Sequence, residues 1–174
     1  MGITHYRMQT PKDYIRQGLL RAAEDLFYER GYLGVSMRAV AARSGVGLSN
    51  IYNYFKGKDE LFHAVVAPAT RGLEQMLDDH HGRAGHDIMN MCSDEYYAFL
   101  VDEYTSYINC NRRLLAILLL KARGSSLAGY KADFTLHATE TVKAYFAEMK
   151  RRHPQLQTDI SDFSIQMHSV WIFS

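Results

Sequence analysis

Residues 45–61 read GVGLSNIYNYFKGKDEL, and the placing of this stretch decides how the rest of the chain is read. Two glycines open it, a short polar and aromatic run follows, and Lys56-Gly57-Lys58 breaks the run before two acids begin something new. Placed on a helix at about 100° per residue, Leu48, Ile51 and Phe55 fall in one narrow arc and form a buried anchor. Ser49, Asn50 and Asn53 fall opposite. Tyr52 and Tyr54 flank the anchor, where a ring packs inward while its hydroxyl faces out. Asn pairs with adenine edges, Ser with several acceptors, and Tyr hydroxyls with phosphate oxygens. Ser and Asn are equally common on ordinary surface helices, so the wheel alone leaves both readings open.

Upstream, Ile15, Leu19, Ala22, Ala23, Leu26 and Phe27 recur at three- and four-residue steps, the period of a helix over Lys12 to Arg30. Gly31 supplies its stop. Ser36 can cap a second helix, Met37 to about Arg43, and Ser44-Gly45-Val46-Gly47 ends it. Two short helices joined by a glycine-containing turn make a helix-turn-helix, whose second helix can enter a DNA major groove. Charge agrees weakly: Met1 to Phe62 carries nine Lys/Arg against six Asp/Glu, and His63 to Ser174 eleven against thirteen. The front is therefore +3 and the remainder −2, a small basic module on a mildly acidic body.

Beyond Lys58 a fourth helix starts with Asp59 and Glu60, favourable at a helix N-terminus. Pro68, in the middle of its apolar pattern, is expected to remove one backbone bond and bend it. His80 to Met91 reads as a loop. Ser93 caps a fifth helix to about Asn109, with Tyr96, Leu100, Tyr104 and Tyr107 on one stripe. Arg112 to Arg123, apolar nearly all round, reads as a separate buried helix. A seventh, about Leu127 to Arg152, is expected to bury Phe134, Ala138, Thr141, Val142, Tyr145 and Met149, and an eighth begins near Thr158. No strand pattern, repeat or low-complexity tract competes. The fold expected is all-α, with a helix-turn-helix DNA-binding domain over 1–57 and a helical effector-binding and dimerisation domain over 58–174. The apolar period is still running at Ser174, so the chain is expected to end in a frayed helix or short of its natural end.

At this point the front of the chain resembles the TetR family of bacterial transcriptional regulators. Residues Lys12 to about Ala67 carry the resemblance, through AAEDLFYERGYLGVSMRAVAARSGV and LSNIYNYFKGKDELF. Gly31-Tyr32, Ser36-x-Arg38, Ala41-Ala42-x-x-Gly45-Val46 and Tyr52-x-Tyr54-Phe55-x-x-Lys58 stand in the family's order and spacing. The resemblance implies a homodimeric repressor whose front modules bind a palindromic double-stranded operator and whose body binds a small-molecule effector that releases it. By position it implies phosphate or base contacts from Ser36 and Arg38, phosphate contacts from Tyr52, Tyr54 and Lys58, and base-facing positions at Leu48, Ser49, Asn50 and Asn53. Gly47 stands where the family commonly has a capping Ser, and Leu48 where it often has Lys. The expected coupling is a ligand-driven shift of the fourth helix at its Pro68 bend, which changes the separation of the two front modules. A protein partner in place of the small molecule is the alternative switch.

Effector-pocket candidates are Tyr96, Leu100, Tyr104 and Tyr107 on the fifth helix, Phe134 and His137 on the seventh, and Met167, His168 and Trp171 on the eighth. Many tyrosine hydroxyls among apolar side chains point to an amphipathic or aromatic effector over an anionic one. His80, His81 and His86 beside Asp78, Asp79 and Asp87 have ligand chemistry for Zn or Ni, but their spacing matches no known metal site and a solvated interdomain loop accounts for them. No metal and no cofactor is expected. No GxSxG, P-loop, HExxH or dinucleotide fingerprint is present, which argues against an enzyme. No segment reaches the roughly 18 to 20 apolar residues of a membrane span, and Cys92 and Cys110 lie outside any CxxC pattern, as expected of reduced cysteines in a cytoplasmic protein.

Overall fold

The first helix ends at Gly31 because that residue takes φ +67°, a backbone turn glycine adopts without strain. The computed structural model describes residues 11–82, 85–91 and 93–156. Over these the chain folds into helices α1 (Pro11–Arg30), α2 (Met37–Ser44), α3 (Leu48–Ile51), α4 (Lys58–His81), α5 (Ile88–Met91), α6 (Asp94–Leu120) and α7 (Tyr130–Arg152). There is no strand among the described residues, and none of these helices is long and apolar enough to cross a membrane. Thr158, the eighth helix, Met167, His168, Trp171 and the chain end lie outside the described residues.

The front module packs as its periodicity predicts. Leu19, Ala23, Leu26 and Phe27 of α1, Met37 and Val40 of α2, and Ile51 and Phe55 around α3 share one core with Leu61, Phe62, Val65, Val66 and Ala69 of α4. Phe62 sits edge-on to Phe27 and Tyr32, with ring centroids 5.0 and 5.2 Å apart, the geometry the ring quadrupoles favour. Ile117, Leu118 and Ala122 belong to the same core, so packing crosses position 57/58 and draws in the end of α6.

Several expected boundaries move. The short recognition helix keeps α-geometry only over Leu48–Ile51 and continues as turns, Asn53 N–H bonding the Asn50 carbonyl at 3.1 Å and Tyr54 N–H that of Ile51 at 2.9 Å. The fifth and sixth helices are one, α6, because no Gly or Pro interrupts 109–112 and Asn111 turns its side-chain amide back onto the Tyr107 carbonyl at 3.0 Å. The stretch 112–123 is not buried all round: Ile117 and Leu118 are, while Leu120 is 79% exposed. α4 runs on to His81 and α5 occupies part of the expected loop. In α7 the buried set is Phe134, Ala138, Thr139, Tyr145 and Met149; Thr139 satisfies its hydroxyl on the Thr135 carbonyl at 2.8 Å, while Thr141 and Val142 are half-buried.

Pro68 lies inside α4 with helix on both sides. Lacking an N–H, it leaves the helical ladder one bond short there. A second, smaller apolar cluster of Leu73, Leu77, Phe134 and Ala138 joins α4 to α7.

Candidate functional site

Ser36 has extended backbone (φ −121°, ψ 156°) and its Oγ accepts the Ala39 N–H at 3.2 Å, so it is the N-cap of α2 and keeps its own O–H to donate outward. Arg38, two residues on, is exposed. Arg43 is engaged instead, its guanidinium forking onto Glu29 at 3.1 and 3.2 Å, and that hydrogen bond holds the Glu29 carboxyl below its ordinary range. Gly45 (φ +70°) ends α2, and Gly47 begins α3 without a side-chain cap.

On α3 and the turn after it Ser49, Tyr52 and Asn53 are exposed, Asn50 is half-buried, and Leu48 and Tyr54 are half-buried against the front core. Asn53 Nδ2 donates to Asn50 Oδ1 at 3.1 Å. The two amides form one unit that still offers the Asn53 oxygen and the Asn50 amino group outward. Lys58 has a different environment from that of an outward-reaching cation. Its ammonium donates to the Tyr32 and Val35 carbonyls at 3.0 Å each and sits 4.1 Å from the centre of the Tyr32 ring. The link between α1 and α2 has carbonyls that no helix satisfies, and Lys58 at the start of α4 reaches them.

In the body, α4, α5, α6 and α7 surround a cavity of about 610 Å³. Four of the nine pocket candidates line it: Leu100, Tyr104, Tyr107 and Phe134. Tyr96 stands off it with its hydroxyl 2.6 Å from His80 Nδ1. His137 faces a polar groove between α4 and α7, 3.5 Å from Glu74. Leu73, Met76, Leu77, Ile108, Leu115 and Ala138 also line the cavity; Ala138 was expected to be buried, but a residue facing a void has the same spacing as one facing a core. Among the described residues the lining holds no lysine or arginine, and His81 is its one basic side chain. Burial pushes the Tyr104 hydroxyl up, with Glu103 adding to it, and pushes Tyr107 up to about 12.

His80, expected in a solvated loop, is 1% exposed. It bridges the Tyr96 hydroxyl and Glu103 Oε2, both at 2.6 Å, which satisfies both ring nitrogens. Among the described residues no group of His, Cys, Asp and Glu is arranged to hold a metal ion.

The two regions are fastened where α6 ends. Tyr32 N–H donates to the Lys121 carbonyl at 2.9 Å, and Ser126 N–H to Asp59 Oδ1 at 3.0 Å. His63 Nε2 lies 2.6 Å from Ser126 Oγ. Arg113 of α6 pairs with Asp25 and, at 3.0 Å, with Glu24. Hydrogen bonds from Ser126 hold the Asp59 carboxyl below its ordinary value of 3.8.

Residues 19–65 match the family described as "Bacterial regulatory proteins, tetR family". A helix-turn-helix-type transcriptional repressor of Mycobacterium tuberculosis (strain H37Rv) is 34% identical over 90 residues, which is 52% of this chain and 46% of that one. A helix-turn-helix-type transcriptional regulator of Staphylococcus aureus (strain USA300) is 30% identical over 126 residues, 68% of this chain and 60% of its own. The chain thus spans about half the length of the curated relatives it matches. Among solved structures, NalD, the secondary repressor of the MexAB-OprM multidrug efflux pump in Pseudomonas aeruginosa, is similar with a TM-score of 0.62 at 22% identity, over 92% of this chain and 83% of that one. At that identity the likeness concerns the fold.

Proposed function

The chain belongs to the TetR family of bacterial regulatory proteins, and from that premise we propose that it is a DNA-binding transcriptional regulator, a homodimeric repressor released from a palindromic operator by a small molecule. The observation that carries the DNA half is the outward side of α3 and the turn after it: Ser49, Asn50 and Asn53 stand together there, opposite an anchor at Ile51 that is buried at 0% exposure. Such a helix is rigid where it is held and polar where it is free, as groove reading requires.

The roles divide accordingly. Ser49, Asn50 and Asn53 read base edges. Ser36, Arg38, Tyr52 and Tyr54 hold phosphates, which positions the helix without reading sequence. Leu48 anchors more than it reads, since it packs on the core. Lys58 serves the module's architecture, with two of its three N–H groups engaged on carbonyls. Two such modules would sit about 34 to 36 Å apart in successive major grooves.

The effector half is supported by the cavity. Its size suits a small organic molecule, and its lining is mostly apolar and aromatic, with His81, Tyr104 and Tyr107 supplying the polar groups. The effector is therefore a largely apolar or aromatic molecule. It can change DNA binding only if it binds the two module spacings with different affinity.

Selection of bound duplexes from a random pool tests the DNA half, and a palindromic consensus is the expected result. Against it, Asn53→Ala should relax base preference at one position per half-site, whereas Arg38→Ala should weaken all sequences alike and lower the salt slope by about 1 per module. Failure of the pool to converge, or indifference of binding to both changes, would reject the groove assignment.

A further inference from the structure

One residue of α6 touches the cavity and the α4 backbone together. Tyr107 lines the cavity, and its hydroxyl donates to the Ala69 carbonyl. Its ring lies against α4 at Gly72, where a methyl group in place of the glycine hydrogen would run into the ring. Close approach of this kind is a recurrent reason for glycine within a helix, where it is otherwise unfavourable by about 1 kcal/mol relative to Ala. The contact falls directly after Pro68, whose missing N–H leaves the preceding turn of α4, at Ala64, one backbone hydrogen bond short. α4 itself runs from this contact into the front core through Leu61, Phe62, Val65, Val66 and Ala69.

A second buried hydroxyl lies on the same side of the body. The Tyr130 hydroxyl is buried and has no hydrogen-bond partner among the described residues. Tyr107 and Tyr130 pack against the same cluster of Leu73, Leu77, Phe134 and Ala138. A buried hydroxyl without a partner is costly, so a state in which Tyr107 turns to it recovers part of what leaving Ala69 loses.

We propose that Tyr107 is the positioning residue through which an occupant of the cavity acts on α4: an empty cavity leaves the ring latched on Gly72 and the Ala69 carbonyl, and an occupant that shifts the ring releases the turn after Pro68. This inference rests on reading the cavity as a ligand site, but the latch itself can be tested without ligand. It differs from a bend that works through Pro68 alone, because the proline supplies only the weak point and the tyrosine supplies the control.

The test is amide hydrogen exchange along α4 in the full chain, with and without N-phenyl-1-naphthylamine, a neutral apolar dye whose fluorescence rises on leaving water. In the dye-free chain, Tyr107→Phe keeps the ring and removes the hydroxyl, and it should speed exchange of the amides from Leu73 to Leu77 about fivefold, the worth of one ordinary hydrogen bond. Gly72→Ala, which pushes the ring away, should do the same. Exchange over Leu19 to Phe27 should be unchanged in both, which separates release of a latch from general loosening. Saturating dye should speed the same α4 amides in the wild type and leave them unaltered in Tyr107→Phe, and the variant should bind dye up to about fivefold more tightly, because binding no longer has to break the latch. Unchanged α4 exchange in both dye-free variants overturns the latch. Dye that binds and slows or leaves α4 exchange equally in wild type and variant overturns the sensing role while the cavity reading stands. Absence of any fluorescence rise overturns the cavity reading and the sensing role together, and the dye-free comparison still decides the latch.

Discussion

The front module and the body are built from the same kind of helix and are packed in opposite ways. In the front, Leu19, Phe27, Val40, Ile51, Leu61 and Phe62 are all sealed at 0% exposure, three aromatic rings interlock, and even a lysine is drawn in to satisfy loop carbonyls. In the body, α6 buries only Ile117 and Leu118, both at the end that enters the front core, and one side of it, from Leu100 to Leu119, borders a cavity. Under the function proposed above, the difference matches what each region is for. A helix that reads base edges has to hold its side chains in fixed register, which takes a core without voids. A region that admits a small molecule has to leave apolar surface uncovered, which forgoes the dispersion contacts and burial that would stabilise it.

Removing one aromatic ring from each region should expose this contrast most sharply. Phe62→Ala should destabilise the chain by about 3–5 kcal/mol, because its neighbours are fixed on every side. Phe134→Ala, on a wall that already borders a void, should lose at least about 1 kcal/mol less, since its ring makes fewer contacts to forfeit. Urea unfolding of both variants measures the difference, and equal losses would mean that the body is packed as tightly as the front.

Filling the void is the next largest change. Leu100→Trp should place an indole in the cavity and weaken binding of a neutral apolar dye at least about tenfold, while altering stability by less than about 1 kcal/mol, because there is room for it. A fluorescence titration beside a melting curve checks both. A tryptophan that unfolded the chain would show that the space is not available to a ligand.

The smallest effect concerns the seam between the regions. The Asp59 carboxyl is held below its ordinary value by its hydrogen bonds from Ser126. Because its folded pKa is depressed, the stability it contributes is present above the ordinary value of 3.8 and is lost as pH falls through the lower, folded value. Asp59→Asn should therefore be less stable than the wild type at pH 6 to 7, and the gap should close below about pH 3. A gap that persists in acid would assign the effect to the lost shape of the carboxylate and not to its charge.

Legibility followed the same division. The front module could be read nearly residue by residue, because a glycine stop, a Ser cap and a 3.6-residue apolar period are each local signals, and they agree. Even there two features stayed hidden: Lys58 turning inward, which depends on carbonyls 23 and 26 residues away, and the early end of α3 at Ile51. In the body the apolar stripes of α4, α6 and α7 were visible, but the join at Asn111 and the burial of His80 were not. A side-chain amide folding back onto its own helix, or a histidine meeting a tyrosine and a glutamate from another helix, leaves no spacing in the sequence.

By itself the sequence determined that this chain is helical, that its front is a helix-turn-helix, and which residues of the short third helix face away from their anchor. Periodicity and capping depend on neighbours within a turn or two, so they are written locally. The tertiary structure alone decided that the front core continues into α6, that four of the nine pocket candidates converge on a cavity, and that Tyr107 joins that cavity to α4 at a glycine. Those facts depend on which helix lies against which, and an apolar face has the same spacing whether it meets a partner, a void or a ring.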